Sequence, residues 1–117
     1  MKLTKLRLTT EASNRLRFVA GKTGLTPNLL CRLGFCLSLA EASMPNPDDY
    51  PEQDREFNRY TLLGEYDALF VALLVERCRL DGSQTVRLAD YFRAHMNRGI
   101  VLLQHRVKSL ADLPRLV

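Results

Sequence analysis

Residues 3–39 read LTKLRLTTEASNRLRFVAGKTGLTPNLLCRLGFCLSL, and the order of signals within them decides the fold. Leu3 to Leu8 alternates well enough for a short strand, with Thr4, Leu6 and Leu8 on one face and Leu3, Lys5 and Arg7 on the other. Thr9-Thr10-Glu11 then supplies a hydroxyl cap and a first-turn acid for a helix reaching about Thr23. Ala12, Leu16, Val19 and Ala20 form its apolar stripe, and Arg15, Arg17 and Lys22 project outside it. Gly24-Leu25 closes that helix; Thr26 caps the next, with Pro27 at its first position, where a missing N–H costs nothing. This second helix, about Pro27 to Ser43, carries Leu29, Leu30, Leu33, Phe35, Cys36, Leu37, Leu39 and Ala40 around nearly its whole circumference. Such a helix needs cover on all sides, so the reading expects both the remaining helices and a second subunit to supply it.

A short basic strand followed by two capped helices is the order of a ribbon-helix-helix unit. Two copies of such a unit pair their strands into a ribbon that fits the major groove. A strand this short does not stand alone, so the pattern predicts an oligomer. N–H groups around Asn28 and Leu29, at the start of the second helix, would add a phosphate site. The alternative is an ordinary strand–helix start whose basic residues are only a solvated face.

Charge is strongly segregated along the chain. Residues 1–40 hold seven basic side chains (Lys2, Lys5, Arg7, Arg15, Arg17, Lys22, Arg32) against Glu11 alone. Residues 41–67 carry eight acids (Glu41, Asp48, Asp49, Glu52, Asp54, Glu56, Glu65, Asp67) against Arg55 and Arg59. Residues 68–117 turn positive again, eight against four, so the formal net charge of +4 conceals a basic head and an acidic belt. Local clustering sets the field near a surface, and a basic head suggests a chain that meets a polyanion with one end.

At 117 residues the chain is read as one domain, with a basic unit over 1–43, an acidic loop over 44–60 and a helical remainder over 61–117. Pro45, Pro47 and Pro51 make Met44 to about Tyr60 irregular, with a turn of helix at its end. Glu65 to Leu80 reads as a third long helix stopped by Asp81-Gly82, and Thr85 to about Asn97 as a fourth. Gly99 is expected to interrupt or kink the path before Ile100, and residues 108–117 to form a short terminal helix or tail. No apolar run approaches the roughly 18 residues of a membrane span, and Met1 to Thr10 lacks the apolar block of a signal peptide. The expected location is cytoplasmic.

The search for catalytic chemistry returns nothing. Cys31, Cys36 and Cys78 include no CxxC pair; Cys31 and Cys36 face about 140° apart on a helix, so all three are expected as small apolar core residues. His95 and His105 lie ten apart on different faces without a carboxylate or cysteine at ligand spacing, so no metal and no cofactor is expected. Asp54, Glu56, Glu65 and Asp67 read as a solvated face or as ion pairs with Arg32 and Arg59 rather than a magnesium site. Arg32 interrupts the most apolar helix and needs a partner. That partner is either an internal acid such as Glu65 or a phosphate.

Five separated strings then carry a resemblance. Residues 23–39, Glu56-Phe-Asn-Arg59, Thr61-Leu-Leu-Gly-Glu-Tyr-Asp67, His95-Met-Asn-Arg-Gly-Ile100 and Val107-Lys-Ser-Leu-Ala-Asp-Leu113 resemble, in order, blocks of the DndE family of DNA phosphorothioation systems. They span nearly the whole chain. The resemblance implies a small, helical, oligomeric accessory protein acting with a cysteine desulfurase, an iron–sulfur subunit and an ATPase subunit. In these systems sulfur replaces a non-bridging phosphate oxygen of DNA.

The expected fold class is therefore mainly α: a short N-terminal strand in a ribbon-helix-helix-like unit with additional C-terminal helices, assembled as a homo-oligomer for which a tetramer is plausible. The expected function is a non-catalytic subunit that binds the backbone of double-stranded DNA, with a preference for nicked duplex as a further hypothesis. Lys2, Lys5, Arg7, Arg15, Arg17 and Lys22 are the expected DNA contacts. Two alternatives stand beside it: an adaptor docking the sulfur-transfer and ATPase subunits, and a free-standing ribbon-helix-helix repressor.

Overall fold

In the computed structural model, which describes residues 3–83, 87–108 and 110–116, the chain is mainly helical. The elements are β1 (Lys5–Arg7), α1 (Thr10–Thr23), α2 (Pro27–Ala40), a 3-10 turn (Pro47–Asp49), β2 (Glu56–Asn58), α3 (Arg59–Leu63), a second 3-10 turn (Gly64–Tyr66), α4 (Asp67–Leu80), α5 (Leu88–Arg106) and a 3-10 segment (Leu110–Leu116).

The helix signals operate as their chemistry requires. Thr9 Oγ1 accepts from Ala12 N at 3.0 Å, and Gly24, at φ 73°, caps the other end of α1 in the left-handed conformation. Thr26 Oγ1 accepts from Leu29 N at 3.3 Å to begin α2. Gly82, also at φ 73°, follows α4 where the stop is expected.

The strand is shorter than the expected Leu3–Leu8. Leu6 and Leu8 are buried while Lys5 and Arg7 are exposed, but Leu3 is buried beside an exposed Thr4, so the alternation lapses there. Its partner differs from expectation as well. β1 pairs antiparallel with β2 of the same chain, in the register Lys5↔Asn58, Leu6↔Phe57 and Arg7↔Glu56. The ribbon-helix-helix reading expected a strand from a second copy. The hydrogen bonds of Leu8 N to Arg55 O (2.8 Å) and Arg59 N to Thr4 O (2.9 Å) extend the pairing beyond both ends of the strand. The acidic stretch is therefore an ordered return arm rather than a loop throughout.

α5 is the axis of the core. Its buried face, including Tyr91, Phe92, His95, Met96, Gly99, Ile100 and Leu103, packs against α2 most extensively and against α1 and α4 as well. The expected break at Gly99 does not occur; α5 runs through it unbroken to Arg106. Gly99 instead lies where α5 crosses α2 at Gly34: a Cβ on Gly34 would fall 2.8 Å from the Gly99 carbonyl carbon and oxygen. Two glycines at one crossing let the helix backbones touch. Of the expected fourth helix, Thr85 lies outside the described residues.

α2 ends at Ala40 rather than Ser43, and arginines bind the carbonyls at and just beyond its end. Arg77 donates to the carbonyls of Leu39 (2.6 Å), Glu41 (2.6 Å) and Ser43 (2.9 Å), and Arg98 donates to those of Ser38 (2.8 Å) and Ser43 (2.8 Å). α4 starts at Asp67 rather than Glu65, preceded by the 3-10 turn at Gly64, whose φ is +56°. Arg32 does not follow the expected route to Glu65: its Nε donates to the carbonyl of Leu62 at 2.7 Å. Arg59 makes the bidentate pair with Asp67, both bonds at 2.8 Å, which holds Asp67 below the usual carboxylate range chiefly through that hydrogen bonding. Cys31 and Cys78 are core residues as expected, whereas Cys36 is exposed. Burial pushes the Cys31 thiol up to about 12, so it behaves as an apolar group.

α2 is also less covered than its composition demands. Leu30, Cys31, Gly34, Phe35 and Ser38 are buried, but Leu29, Leu33, Cys36, Leu37 and Ala40 line an apolar groove of about 530 Å³ with Leu25 and Leu113. A second hollow of about 260 Å³ shares Leu29, Leu33 and Cys36 and continues to Tyr66 and Leu69. Beyond it α4 exposes Leu69, Leu73 and Leu80. A single subunit leaves this surface open.

Candidate nucleic-acid interface

α1 gathers most of the expected basic residues. Ala12, Ser13, Leu16, Val19 and Thr23 turn inward, so at 100° per residue Asn14, Arg15, Arg17, Phe18, Gly21 and Lys22 are carried on the outer half of the helix. Arg15 is the most engaged of these. It pairs with Glu11 at 2.9 Å, bonds Gln104 of α5 and lies 3.4 Å from His105 Nε2. Among the described residues Arg17 meets a neighbouring amide alone, Asn14 Oδ1 at 3.2 Å. Lys22 Nζ stands 5.6 Å from the centroid of the Phe18 ring, within cation–π range.

Leu8 and Thr9 alone separate β1 from α1, and β1 presents Lys5 and Arg7 outward while Leu6 is buried. Arg7 is tied to the return arm: its Nε donates to the Asp54 carbonyl at 3.0 Å and Glu56 lies opposite in register. Lys5 lies opposite the uncharged Asn58. Lys2 falls outside the described residues. Of the six expected contacts, the fold places Arg15 and Lys22 together on one side of the outer half of α1, Arg17 on its other side about 140° from Lys22, and Lys5 and Arg7 on the strand leading into it.

Charges segregated in sequence are interleaved in space. The acidic belt folds back onto α5 and its approach, where Asp48 meets Arg87 (3.9 Å), Glu52 meets Arg93 (3.6 Å) and Glu41 meets Arg106 (3.2 Å). These pairs neutralise much of the C-terminal positive surplus. The α1 cations keep theirs, apart from Arg15 and Glu11.

A buried polar cluster lies behind α2. His95 is fully buried, its Nδ1 is 2.8 Å from Ser38 Oγ, and Arg98 Nε donates to the same oxygen at 2.8 Å. Among the described residues His95 Nε2 has no hydrogen-bond partner. Burial, reinforced by Arg98 and Arg77, lowers the imidazole to about 4, so it is neutral at physiological pH. His95 and Ser38 are sealed from solvent while Arg98 and Arg77 are partly exposed, and together they join the end of α2 to α4 and α5. Sequence reasoning missed it because a histidine and a serine 57 residues apart carry no local signal.

Phe18 was missed for another reason. It stands off the apolar stripe and could have been found as the one aromatic side chain among the outward cations of α1. Its exposure is 49%.

Comparison with known proteins bears on this arrangement. Residues 5–111 match the family model described as DNA sulphur modification protein DndE. The chain belongs to the DndE family. The crystal structure of DndE from Escherichia coli B7A, described as involved in DNA phosphorothioation modification, matches with a TM-score of 0.70 at 24% identity, covering 88% of this chain and 99% of that one. That likeness establishes a shared fold, including its mainly helical class. No curated protein matches the chain. Membership of the DndE family places the chain in DNA sulphur modification, and no helix among the described residues is long and apolar enough to cross a membrane.

Proposed function

We propose that the chain is a non-catalytic subunit of the DNA sulphur modification machinery that binds the backbone of double-stranded DNA through α1 and β1. The observation that carries this reading is the outer half of α1, where Arg15, Arg17 and Lys22 project, while Glu41, Asp48 and Glu52 of the belt pair with α5 and its approach. Cations on a helix surface neutralise phosphates without reading bases, so binding is sequence-tolerant and steeply salt-dependent. Lys5 and Arg7 extend the same basic unit, and Lys2 stays an expected contact from its place in the sequence. The preference for nicked duplex belongs to this proposal.

The open apolar surfaces of α2 and α4 support assembly into a homo-oligomer. The same surfaces support the second reading, an adaptor that docks the sulfur-transfer and ATPase subunits of the system. Charge reversal separates the two. Arg17→Glu with Lys22→Glu abolishes DNA binding and modification under the first reading and leaves the assembled complex and its activity intact under the second.

The direct test is binding to labelled intact and nicked duplexes of two unrelated sequences across a salt series. Sequence-blind binding that falls steeply with salt is expected. Negligible binding at about 50 mM salt, where even non-specific contacts hold, refutes the proposal. Equal affinity for both duplexes removes the nick preference alone.

A further inference from the structure

Arg15 differs from the other cations of α1 in what it faces. Acceptors from two helices close in its guanidinium: Glu11 at 2.9 Å on α1, then Gln104 and His105 on α5, with Nη1 3.4 Å from His105 Nε2. A guanidinium only donates, so in this arrangement Nε2 offers its lone pair and the ring is neutral, its proton on Nδ1. His105 is exposed and Arg15 partly so, which lets protons and phosphates reach the pair. The other charged groups around His105 are turned to partners of their own. Arg106 meets Glu41 at 3.2 Å, and the Lys108 backbone N–H donates to Asp112 at 2.9 Å. Because Glu11 offsets the charge of Arg15, the cluster of Glu11, Arg15 and neutral His105 offers a polyanion little attraction.

We propose that His105 is a proton-operated partner of Arg15, so that uptake of one proton opens a phosphate-holding subsite between α1 and α5. The inference rests on the DNA-binding reading above and adds the regulation of that site. A proton taken from solvent at Nε2 removes the acceptor and leaves two donors facing each other across 3.4 Å. They repel, and a phosphate oxygen placed between them accepts from both. The same proton adds a positive charge to a cluster in which Glu11 otherwise offsets Arg15, and so strengthens its field. Gln104 and Glu11 still hold the guanidinium at the helix junction, which keeps the subsite positioned. Linkage makes the effect reciprocal: acid tightens DNA binding, and bound DNA keeps the proton on His105 to higher pH. Histidine is the side chain whose charge ordinarily changes between about pH 5 and 8, and the chain has two. His95 is fully buried and lowered to about 4, and burial raises the thiols of Cys31, Cys36 and Cys78. The pH dependence in that window thus falls to His105.

The test follows the full chain binding one labelled intact duplex at about 100 mM salt, from about pH 8 down to about pH 5.5. Wild-type affinity should rise about 10-fold per engaged subunit, the worth of one charge-assisted contact. The slope of log K against log salt should steepen by about 0.9 over the same range. His105→Gln, which presents a neutral acceptor at every pH, should show neither change. His105→Lys, charged throughout, should bind tightly with a flat profile. In the wild-type chain, nuclear magnetic resonance of the His105 ring should show it titrating at higher pH with duplex bound than without. That measurement decides the matter even if a variant fails to fold. Parallel pH profiles for the wild type and His105→Gln, or a His105 midpoint that DNA does not move, overturn the inference while backbone binding stands. Absence of binding at every pH removes both proposals.

Discussion

Replacing Gly99 with alanine sets two opposing quantities against each other. In a helix interior alanine is more favourable than glycine by about 1 kcal/mol, so α5 considered alone gains from the change. Against that stands the crossing with α2. The added Cβ would overlap the carbonyl of Gly34 and lie 2.8 Å from Phe35 N. All of these are backbone atoms of a packed helix, and none can rotate aside. For the reciprocal change, Gly34→Ala, the approach is 2.8 Å where ordinary contact begins at 3.4 Å, about 0.6 Å short; the Gly99 Cβ comes closer still to Gly34, so the helices must part by more than that. A gap of that order forfeits roughly a quarter to a half of the dispersion energy of the contacts it opens, along the most extensive interface of the fold. Overpacking generally costs about 1–3 kcal/mol, occasionally more, and a backbone-on-backbone site lies at the upper end. The expected net loss is about 2–3 kcal/mol. Urea unfolding followed by far-UV circular dichroism should show a lower midpoint at unchanged slope, with the melting temperature down by roughly 10 °C. The double variant Gly34→Ala with Gly99→Ala should cost less than the two singles combined, because one separation relieves both collisions. A higher midpoint for Gly99→Ala, as helix propensity alone requires, would refute the reasoning.

The His95 imidazole, lowered to about 4 in the folded chain against about 6.5 unfolded, leaves the unfolded chain binding the extra proton between those values. Stability is then complete above pH 6.5 and declines by about 3 kcal/mol as pH falls to 4; urea midpoints for the wild type and His95→Gln should diverge in slope over that window, and parallel profiles would show that the group is not responsible. The Arg77→Ala change removes a side chain only 11% exposed that pairs with Asp81 at 2.9 Å and bonds the carbonyls after α2, so it should cost about 3–5 kcal/mol. Arg77→Lys should recover less than half, since one ammonium cannot span those carbonyls; a loss under about 1 kcal/mol by denaturant titration for the alanine variant would sink the capping role. On DNA, Arg17→Ala with Lys22→Ala should flatten the slope of log K against log salt by about 1.8 per engaged subunit, equally for unrelated sequences. An effect confined to one sequence would point to base readout instead.

The helix ends were legible because caps and stops are local chemistry: Thr9, Gly24, Thr26, Pro27 and Gly82 act on backbone groups within one turn of themselves. The inward stripe of α1 was legible for the same reason, since helical periodicity places Ala12, Leu16 and Val19 together whatever else the chain does. The outward placement of Arg15, Arg17 and Lys22 followed from it, and with it the basic half of the candidate site. Gly99 reads differently in sequence and in space. Along the chain it looks like a helix interruption; at the α2 crossing it is a packing requirement, and only the partner helix decides between the two.

The same division governs the charges. The sequence by itself determined a basic head, an acidic belt and a basic tail, because these are counts along a line. Which acid neutralises which base depends on where the return arm lies. By pairing with β1, β2 brings the arm back along the fold, where Glu52 and Asp48 meet α5 and its approach. Burial of Leu6 and Phe57 on the core side accompanies that pairing, so tertiary structure decides which cations meet an acid and which do not. The polar cluster at His95, Ser38, Arg98 and Arg77 likewise belongs to tertiary structure alone: its members come from three helices, and their charges and hydrogen bonds acquire meaning only when burial removes water from between them.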